Sequence, residues 1–361
     1  MEIHVVQPGD SLFQLAQQYG LPMERLIQDN QLPNPAQLVV GQTIVIRFPA
    51  LTHTVQEGDT LWSIARSHQT TVDQLLRNNP ALGGRVQIFP GQTLVVRYRE
   101  EPQATLSVNG YAYPNISREL LTATLPSLST LTPFTYRFTP SGDLIPIPDE
   151  ALVDVALQSG VAPVLHLSSV TEEGRFSGQT AHDLLADPAA QQRLISALVD
   201  QATLRGYRGV DVDFEFLYGE DAGRYVRFLT QLRQALAPSG RPLTVALAPK
   251  ISDDQIGRLY EGHDYAQLSQ AVDYALLMTY DWGYPGGPPM AVAPLPQVRQ
   301  VVEYALTHFS PDRLLLGIPN YGYDWPLPFR EGNLAVSVNN VVAVRLAWDR
   351  HAPIRFDSRA Q

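Results

Sequence analysis

Residues 206–220 read GYRGVDVDFEFLYGE. A strand puts alternate side chains on opposite faces. Asp211, Asp213 and Glu215 therefore share one face, and Val210, Val212, Phe214 and Phe216 share the other. Consecutive acids stand roughly 6.6 Å apart along such a strand. Three ionised carboxylates at that spacing repel, so they need shared protons, hydrogen bonds or a bound cation. Buried aspartates satisfied by hydrogen bonds are the competing structural reading, but a row of three is costly for a purely structural strand. Glu215 stands at the C-terminal end. Crowding by the two lower carboxylates is expected to raise its pKa and to favour a protonated acid near neutral pH. No histidine cluster accompanies the row, so no metal is expected there.

The surrounding chain sets this strand among others. Between residues 104 and 323, strand-like runs occur at ATLSVNGYAY, LTPFTYRF, VAPVLHLSS, GVDVDFEF, LTVALAPK, VDYALLMTY and RLLLGIPNYGY. Helical patterns such as AQQRLISALVDQATLRG and AGRYVRFLTQLRQALAP lie between most of them. Alternating units of this kind predict an α/β fold, a (β/α)₈ barrel of the TIM type, over residues 104–361. The Val/Phe face of residues 209–216 would then pack under the helices and the acidic face would line the interior. A doubly wound sheet is the alternative. No Gly-rich dinucleotide fingerprint follows the first strand, and no cofactor is expected. His166, in the third run, reads as a core histidine.

The chain has 361 residues, 44% hydrophobic and 17% charged, with no cysteine and a formal net charge of −10. These numbers fit ordinary globular protein without disulfides. Negative charge without a dense basic run argues against nucleic acid as a partner. No apolar run reaches transmembrane length, so no membrane partner is expected. The start, MEIHVVQPGDSLF, lacks the basic-then-apolar layout of a secretory signal.

The N-terminal part is duplicated. HVVQPGDSLFQLAQQYGLPMERLIQDN from His4 matches HTVQEGDTLWSIARSHQTTVDQLLRNN from His53, and each copy closes with GQT and an apolar strand. Domains are expected at residues 1–48 and 51–98, followed by a short polar linker, YREEPQ, over residues 98–103. Each copy reads as strand, two helices and strand. Asp10 with Ser11, and Asp59 with Thr60, supply the helix start.

This repeat closely resembles the lysin motif, whose marks are the GDTL turn, an Asn after the second helix and PGQ before the last strand. The resemblance implies a βααβ fold that binds N-acetylglucosamine glycans. Its groove would involve Gly9, Asp10, Ser11 and Leu12 with Asn30, and Gly58, Asp59, Thr60 and Leu61 with Asn79. Most of these side chains are expected to be structural, with backbone groups making much of the sugar contact. Tandem weak sites gain from effective concentration on a polymer.

RGVDVDFE resembles the DxxDxDxE signature of glycoside hydrolase family 18, with Arg208 in place of the outermost Asp. LMTYDWG (277–283) and GIPNYGYDW (317–325) are further family elements. With two lysin motifs, the whole chain resembles the spore cortex-fragment-lytic N-acetylglucosaminidases of endospore-forming bacteria. The resemblance implies substrate-assisted retention. Glu215 would be the acid, Asp213 would orient the substrate acetamido group, Asp211 would support Asp213, and Tyr280 would hold the acetamido oxygen. Asp281, Trp282, Trp325 and Tyr111 are candidate sugar contacts.

The family's usual SxGG after the third strand is replaced by HLSSV. Its eighth strand, with a floor tryptophan, finds no counterpart after Trp325. Either the chain is truncated or its barrel closes differently. The expected partner is peptidoglycan, in the spore cortex or its fragments. The expected location is the spore coat or cortex surface, otherwise the cell wall. Alternatives are a chitinase, or a non-catalytic glycan-binding spore protein; retention of Glu215 argues against the latter.

Overall fold

The computed structural model describes residues 1–100 and 102–361, so Glu101 of the expected linker lies outside the described residues. Two compact units are present. One holds residues 1–108, 116–129 and 338–357, and the other holds 109–115, 130–337 and 358–361.

Both repeats lie in the first unit and have the expected βααβ order. The first comprises β1 (Glu2–Val5), α1 (Leu12–Tyr19), α2 (Met23–Asn30) and β2 (Thr43–Ile46); the second comprises β3 (Pro49–Thr54), α3 (Leu61–Ser67), α4 (Val72–Asn78) and β4 (Thr93–Tyr98). Each strand pair is antiparallel. Ser11 caps α1 by accepting from the Gln14 N–H, and the Gln14 side chain accepts from the Ser11 N–H. Thr60 and Ser63 repeat this box on α3. Such caps are worth about 1 kcal/mol each. Leu12, Leu15, Leu26, Ile44 and Ile46 form one small core; Leu61, Ile64, Leu75, Leu94 and Val96 form the other.

The two repeats are tied together. The Tyr98 hydroxyl donates to Asp29 at 2.7 Å, the Arg47 guanidinium lies 3.4 Å from the Tyr98 ring centre, and Arg25 pairs with Asp29. Helix α5 (Arg118–Thr124) also belongs to this unit. Its backbone approaches Gly84 so closely that a Cβ there would collide with the Thr122 carbonyl. Gly84 also has a positive φ of 71°.

The second unit is built on β5 (Asn109–Ala112), β6 (Thr130–Pro133), β9 (Ala162–Ser168), β10 (Gly209–Asp213), β11 (Leu243–Leu247), β12 (Tyr274–Leu277) and β13 (Leu314–Leu316), with a small hairpin of β7 (Arg137–Phe138) and β8 (Leu144–Ile145). The seven main strands pair in the order β13-β12-β11-β10-β9-β6-β5, all parallel. Every strand expected from the sequence is there. The result is a curled half-barrel, and among the described residues no eighth strand joins β5 to β13. Helices α6 (Glu150–Gln158), α7 (Gly178–Ala186), α8 (Pro188–Arg205), α9 (Ala222–Leu236), α10 (Tyr265–Ala271) and α11 (Leu295–Ala305) alternate with the strands. Strands β14 (Tyr321–Asp324) and β15 (Val336–Asn339) and helix α12 (Asn340–Asp349) follow; α12 falls in the first unit.

The apolar side of β10 builds the core beneath the helices. Val210, Val212 and Phe214 are buried with Leu194 and Leu198 of α8 and Phe228, Leu229 and Leu232 of α9. Phe214 meets Phe138, Tyr225 and Phe228 at ring separations of 4.9, 5.4 and 5.8 Å. Truncating such a ring to Ala costs about 3–5 kcal/mol. This packing fixes the rotation of β10 and so sends its acidic side chains to the other face.

Candidate active site

The register of β10 against β9 pairs Asp211 with His166 and Asp213 with Ser168. Side chains at paired positions share a face, so His166 stands beside the acidic row. Its Nε2 lies 3.6 Å from Asp211 Oδ2 and 3.7 Å from Asp213 Oδ2. Nδ1 meets Thr135 Oγ1 at 2.6 Å, and the Phe134 ring stacks on the imidazole at 4.9 Å. Burial pushes His166 down to about 3, so the ring is neutral. The tautomer with its proton on Nε2 directs an N–H dipole at both carboxylates. His166 is thus a core histidine, as expected, and also the floor of the acidic site.

Asp211 is 2% exposed and Asp213 is 6% exposed. The Tyr111 hydroxyl donates to Asp211 Oδ2 at 2.7 Å, while among the described residues Oδ1 of each aspartate has no hydrogen-bond partner. Burial pushes Asp211 up to about 6, against the hydrogen bond from Tyr111. Burial, then the charges of Glu215 and Asp211, lift Asp213 well above the usual carboxylate range. Buried acids with unused acceptor atoms are the kind of group that a ligand donor would satisfy.

Glu215 lies two residues beyond β10, half-buried, with its N–H donating to Ser169 Oγ at 3.4 Å. Its pKa is raised to about 7, by burial first and by the charge of Asp281 second. The expected direction is present, with the charge of Asp281 added from outside the row. Glu215 and Asp213 repel one another, so crowding within the row and the charge of Asp281 both bear on this pair.

Asp281 reaches this position from the loop after β12, with a positive φ of 63°. Its Oδ1 accepts from the Tyr321 and Tyr323 hydroxyls at 2.8 and 3.0 Å. Tyr280 is half-buried, and burial followed by the carboxylates Asp213 and Glu215 raises its hydroxyl pKa. Gly317 makes room for it: a Cβ at 317 would stand 2.5 Å from Tyr280 Cε1. Trp282 is half-buried against the barrel core, and Trp325 donates its Nε1–H to the Gly287 carbonyl at 3.0 Å. Tyr111, Asp211, Asp213, Glu215, Tyr280 and Asp281 are therefore linked by bonds or charge, whereas Trp282 packs on the barrel core and Trp325 bonds the loop after β12.

Residues 174–341 match the model for glycosyl hydrolases family 18, and residues 4–47 and 53–97 match the LysM domain. The cortical fragment-lytic enzyme of Bacillus anthracis is 37% identical, covering 100% of this chain and 85% of the relative. The chain belongs to glycosyl hydrolase family 18. Its Bacillus subtilis (strain 168) relative of the same description is also 37% identical, over 100% of this chain and 84% of that one. A solved structure of the spore cortex-lytic enzyme SleL from Bacillus cereus superposes with a TM-score of 0.81, at 34% identity over 100% of this chain and 84% of that one.

In this family 18 chain the lysin-motif side chains are turned to the fold. Leu12 and Leu61 are core residues, 3% and 2% exposed. The Asn79 side chain bonds the Leu75 and Val95 carbonyls and the Val95 N–H, and Asn30 does the same at Leu26 and Val45. Asp10 and Asp59 accept from the Gln7 and Gln56 N–H groups, and each sits 2.8 Å from the Nε2 of His4 or His53. Ser11 and Thr60 are caps, and Gly9 and Gly58 turn the chain at φ values of 92° and 86°. The side chains of Leu12, Leu61, Asn30 and Asn79 are thus structural, as most in these loops were expected to be. Residues of the site missed from the sequence alone are His166, Tyr321 and Ser169. For His166 the alternation VLHLS was the available signal.

Proposed function

We propose that the chain hydrolyses N-acetylglucosaminyl β-1,4 linkages in spore cortex peptidoglycan, with the lysin motifs holding the enzyme on the glycan. The observation that carries this reading is the buried acidic row ending in Glu215 at about 7. An acid near half-protonation at neutral pH can both give and take a proton. Glu215 gives its proton to the glycosidic oxygen as the bond to the anomeric carbon breaks. The substrate's own acetamido carbonyl attacks that carbon, forming an oxazolinium ion. Asp213 accepts the acetamido N–H through its unused Oδ1 and offsets the developing positive charge, while Tyr111 and His166 hold Asp211 behind it. Tyr280 donates to the acetamido oxygen. Glu215 then takes a proton from water, which opens the ring with retention. This departs from the usual two-carboxylate scheme, because the nucleophile belongs to the substrate.

The relatives named for cortex fragments, and the glycan-binding motifs, favour an extracellular place at the spore. Within it, we assign the coat or cortex surface. Among the described residues no helix is long and apolar enough to cross a membrane, and no group of three His, Cys, Asp or Glu is arranged to hold a metal ion. Mass spectrometry of cortex fragments incubated with this chain and with Glu215→Gln tests the reading. New reducing N-acetylglucosamine ends seen only with the unmutated chain support it. Binding without cleavage by the unmutated chain overturns it in favour of a glycan-binding protein.

A further inference from the structure

The ladder between β10 and β11 is interrupted at the end that carries Glu215. Val210 pairs with Leu243 and Val212 with Val245. The Val210 N–H donates to the Pro242 carbonyl, so the even-numbered residues of β10 turn their backbone groups toward β11. In this register the rung beyond the strands would join the Ala248 N–H to the Phe214 carbonyl. The imidazole of His263 stands between them instead. The Ala248 N–H donates to His263 Nδ1 at 2.8 Å, and His263 Nε2 lies 3.0 Å from the Phe214 carbonyl oxygen. A backbone N–H only donates and a carbonyl only accepts, so the ring carries its proton on Nε2. Burial pushes His263 down to about 4, which keeps the ring neutral and able to serve both partners. A ring and two hydrogen bonds thus occupy the place of one hydrogen bond.

The segment that delivers this ring is built closely around it. His263 and Phe214 are fully buried. At Gly262 a Cβ would stand 2.2 Å from Leu217 Cβ, so only glycine lets the segment approach the end of β10. Lys250, the chain's only lysine, is buried and donates its Nζ to the His263 and Asp253 carbonyls at 3.1 and 3.2 Å. Burying an ammonium group is costly, and here its donors fix the backbone of His263. The Asp253 carboxylate in turn accepts from the Tyr304 hydroxyl of α11 at 2.7 Å. The Tyr225 ring of α9 lies along the imidazole with ring centres 6.1 Å apart.

The Phe214 carbonyl and the Glu215 N–H belong to one peptide unit. His263 holds that unit from the β11 side, and Ser169, just after β9, accepts the Glu215 N–H from the other. We propose that His263 is a positioning residue for the acid: inserted between β10 and β11, it holds the strand ends apart and fixes the peptide from which Glu215 reaches the glycosidic oxygen. This rests on the hydrolase reading above and names the group that sets the place of its acid. Without the imidazole, the Ala248 N–H and the Phe214 carbonyl close into an ordinary rung, and the Glu215 peptide moves with them.

The test compares kcat, KM, pH profile and melting temperature of the full chain, His263→Gln and His263→Asn on soluble cortex fragments. The Gln amide offers an acceptor and a donor that can span both partners, whereas the Asn amide, one bond shorter, serves Ala248 alone. His263→Asn should lose about 10–100-fold in kcat with KM little changed, and His263→Gln should regain most of it. The falling limb of the profile should move to lower pH in His263→Asn, because Glu215 leaves the burial that raises it, and return in His263→Gln. An undiminished kcat in His263→Asn, an equal loss in both variants, or a loss that follows melting temperature with the limb unmoved overturns the proposal. Where His263→Asn does not fold, His263→Gln decides: a kcat within about threefold of the unmutated chain supports the bridge, and a larger loss overturns it. If the unmutated chain releases no fragments, the hydrolase reading fails separately. Titration of the Glu215 carboxyl by carbon NMR then decides: a lower midpoint in His263→Asn than in the unmutated chain supports the positioning role, and equal midpoints overturn it.

Discussion

Both halves of the molecule set a histidine against an aspartate, with opposite results. In the lysin motifs, Asp10 and Asp59 lie at the surface, take a backbone N–H and a histidine each, and have pKa values below the usual range. In the half-barrel, Asp211 and Asp213 lie within 3.7 Å of a histidine too, yet both pKa values are raised. Water and backbone donors stabilise the charge in one place. Burial withholds both in the other, and the neutral His166 ring supplies only a dipole. The motifs use their polar groups to hold a turn, while the barrel leaves acceptor atoms unused where a substrate could meet them.

Glu215→Gln gives the largest effect expected from this contrast, a loss of about 10²–10⁴-fold in turnover with glycan binding through the motifs retained. Asp213→Asn comes next. It should lower turnover while raising the melting temperature of the half-barrel by roughly 2–4 °C. The sign follows from linkage. A carboxyl raised in the folded state contributes stability that is complete below its unfolded pKa and is lost as pH rises through its folded value. The gain over the unmutated chain should therefore widen from pH 5 to pH 8 in calorimetric scans. A constant gap would remove the burial argument for Asp213.

On the other side of the comparison, Asn79→Ala should cost the second motif about 1–3 kcal/mol in denaturant unfolding, because it leaves buried backbone groups of β4 unpaired. The smallest effect belongs to Asp10→Asn. Asp10 is lowered in the folded state, so its stabilisation is present above the unfolded pKa and disappears as pH falls through the folded one. The variant should melt slightly earlier than the unmutated chain at pH 7 and identically near pH 2. A variant that melts later at pH 7 would erase the contrast with Asp213.

What was legible in the sequence follows the same division. The seven strands showed as apolar runs, and the alternation at 211, 213 and 215 was enough to place three acids on one face. The repeat, with its caps at Ser11 and Thr60, was equally plain, because those signals are local. Less visible was whatever depends on neighbours distant in the chain. His166 joins the site through strand register, and Asp281 is held by Tyr321 and Tyr323 from another loop. The share of the Glu215 shift that comes from Asp281 was invisible for that reason. Spacing along a strand cannot report a charge arriving from the loop after β12. Likewise, α5 clusters with the motifs because its carbonyl meets Gly84, a contact with no pattern of its own.

Burial and the charge of Asp281 set Glu215 as an acid near neutrality. The pH dependence of kcat/KM on cortex glycan, for the unmutated chain and for Asp281→Asn, tests it most directly. A limb falling above about 7, displaced to lower pH when the Asp281 charge is removed, is the expected result. A limb at the ordinary carboxylate value, or one that ignores Asp281→Asn, would contradict it.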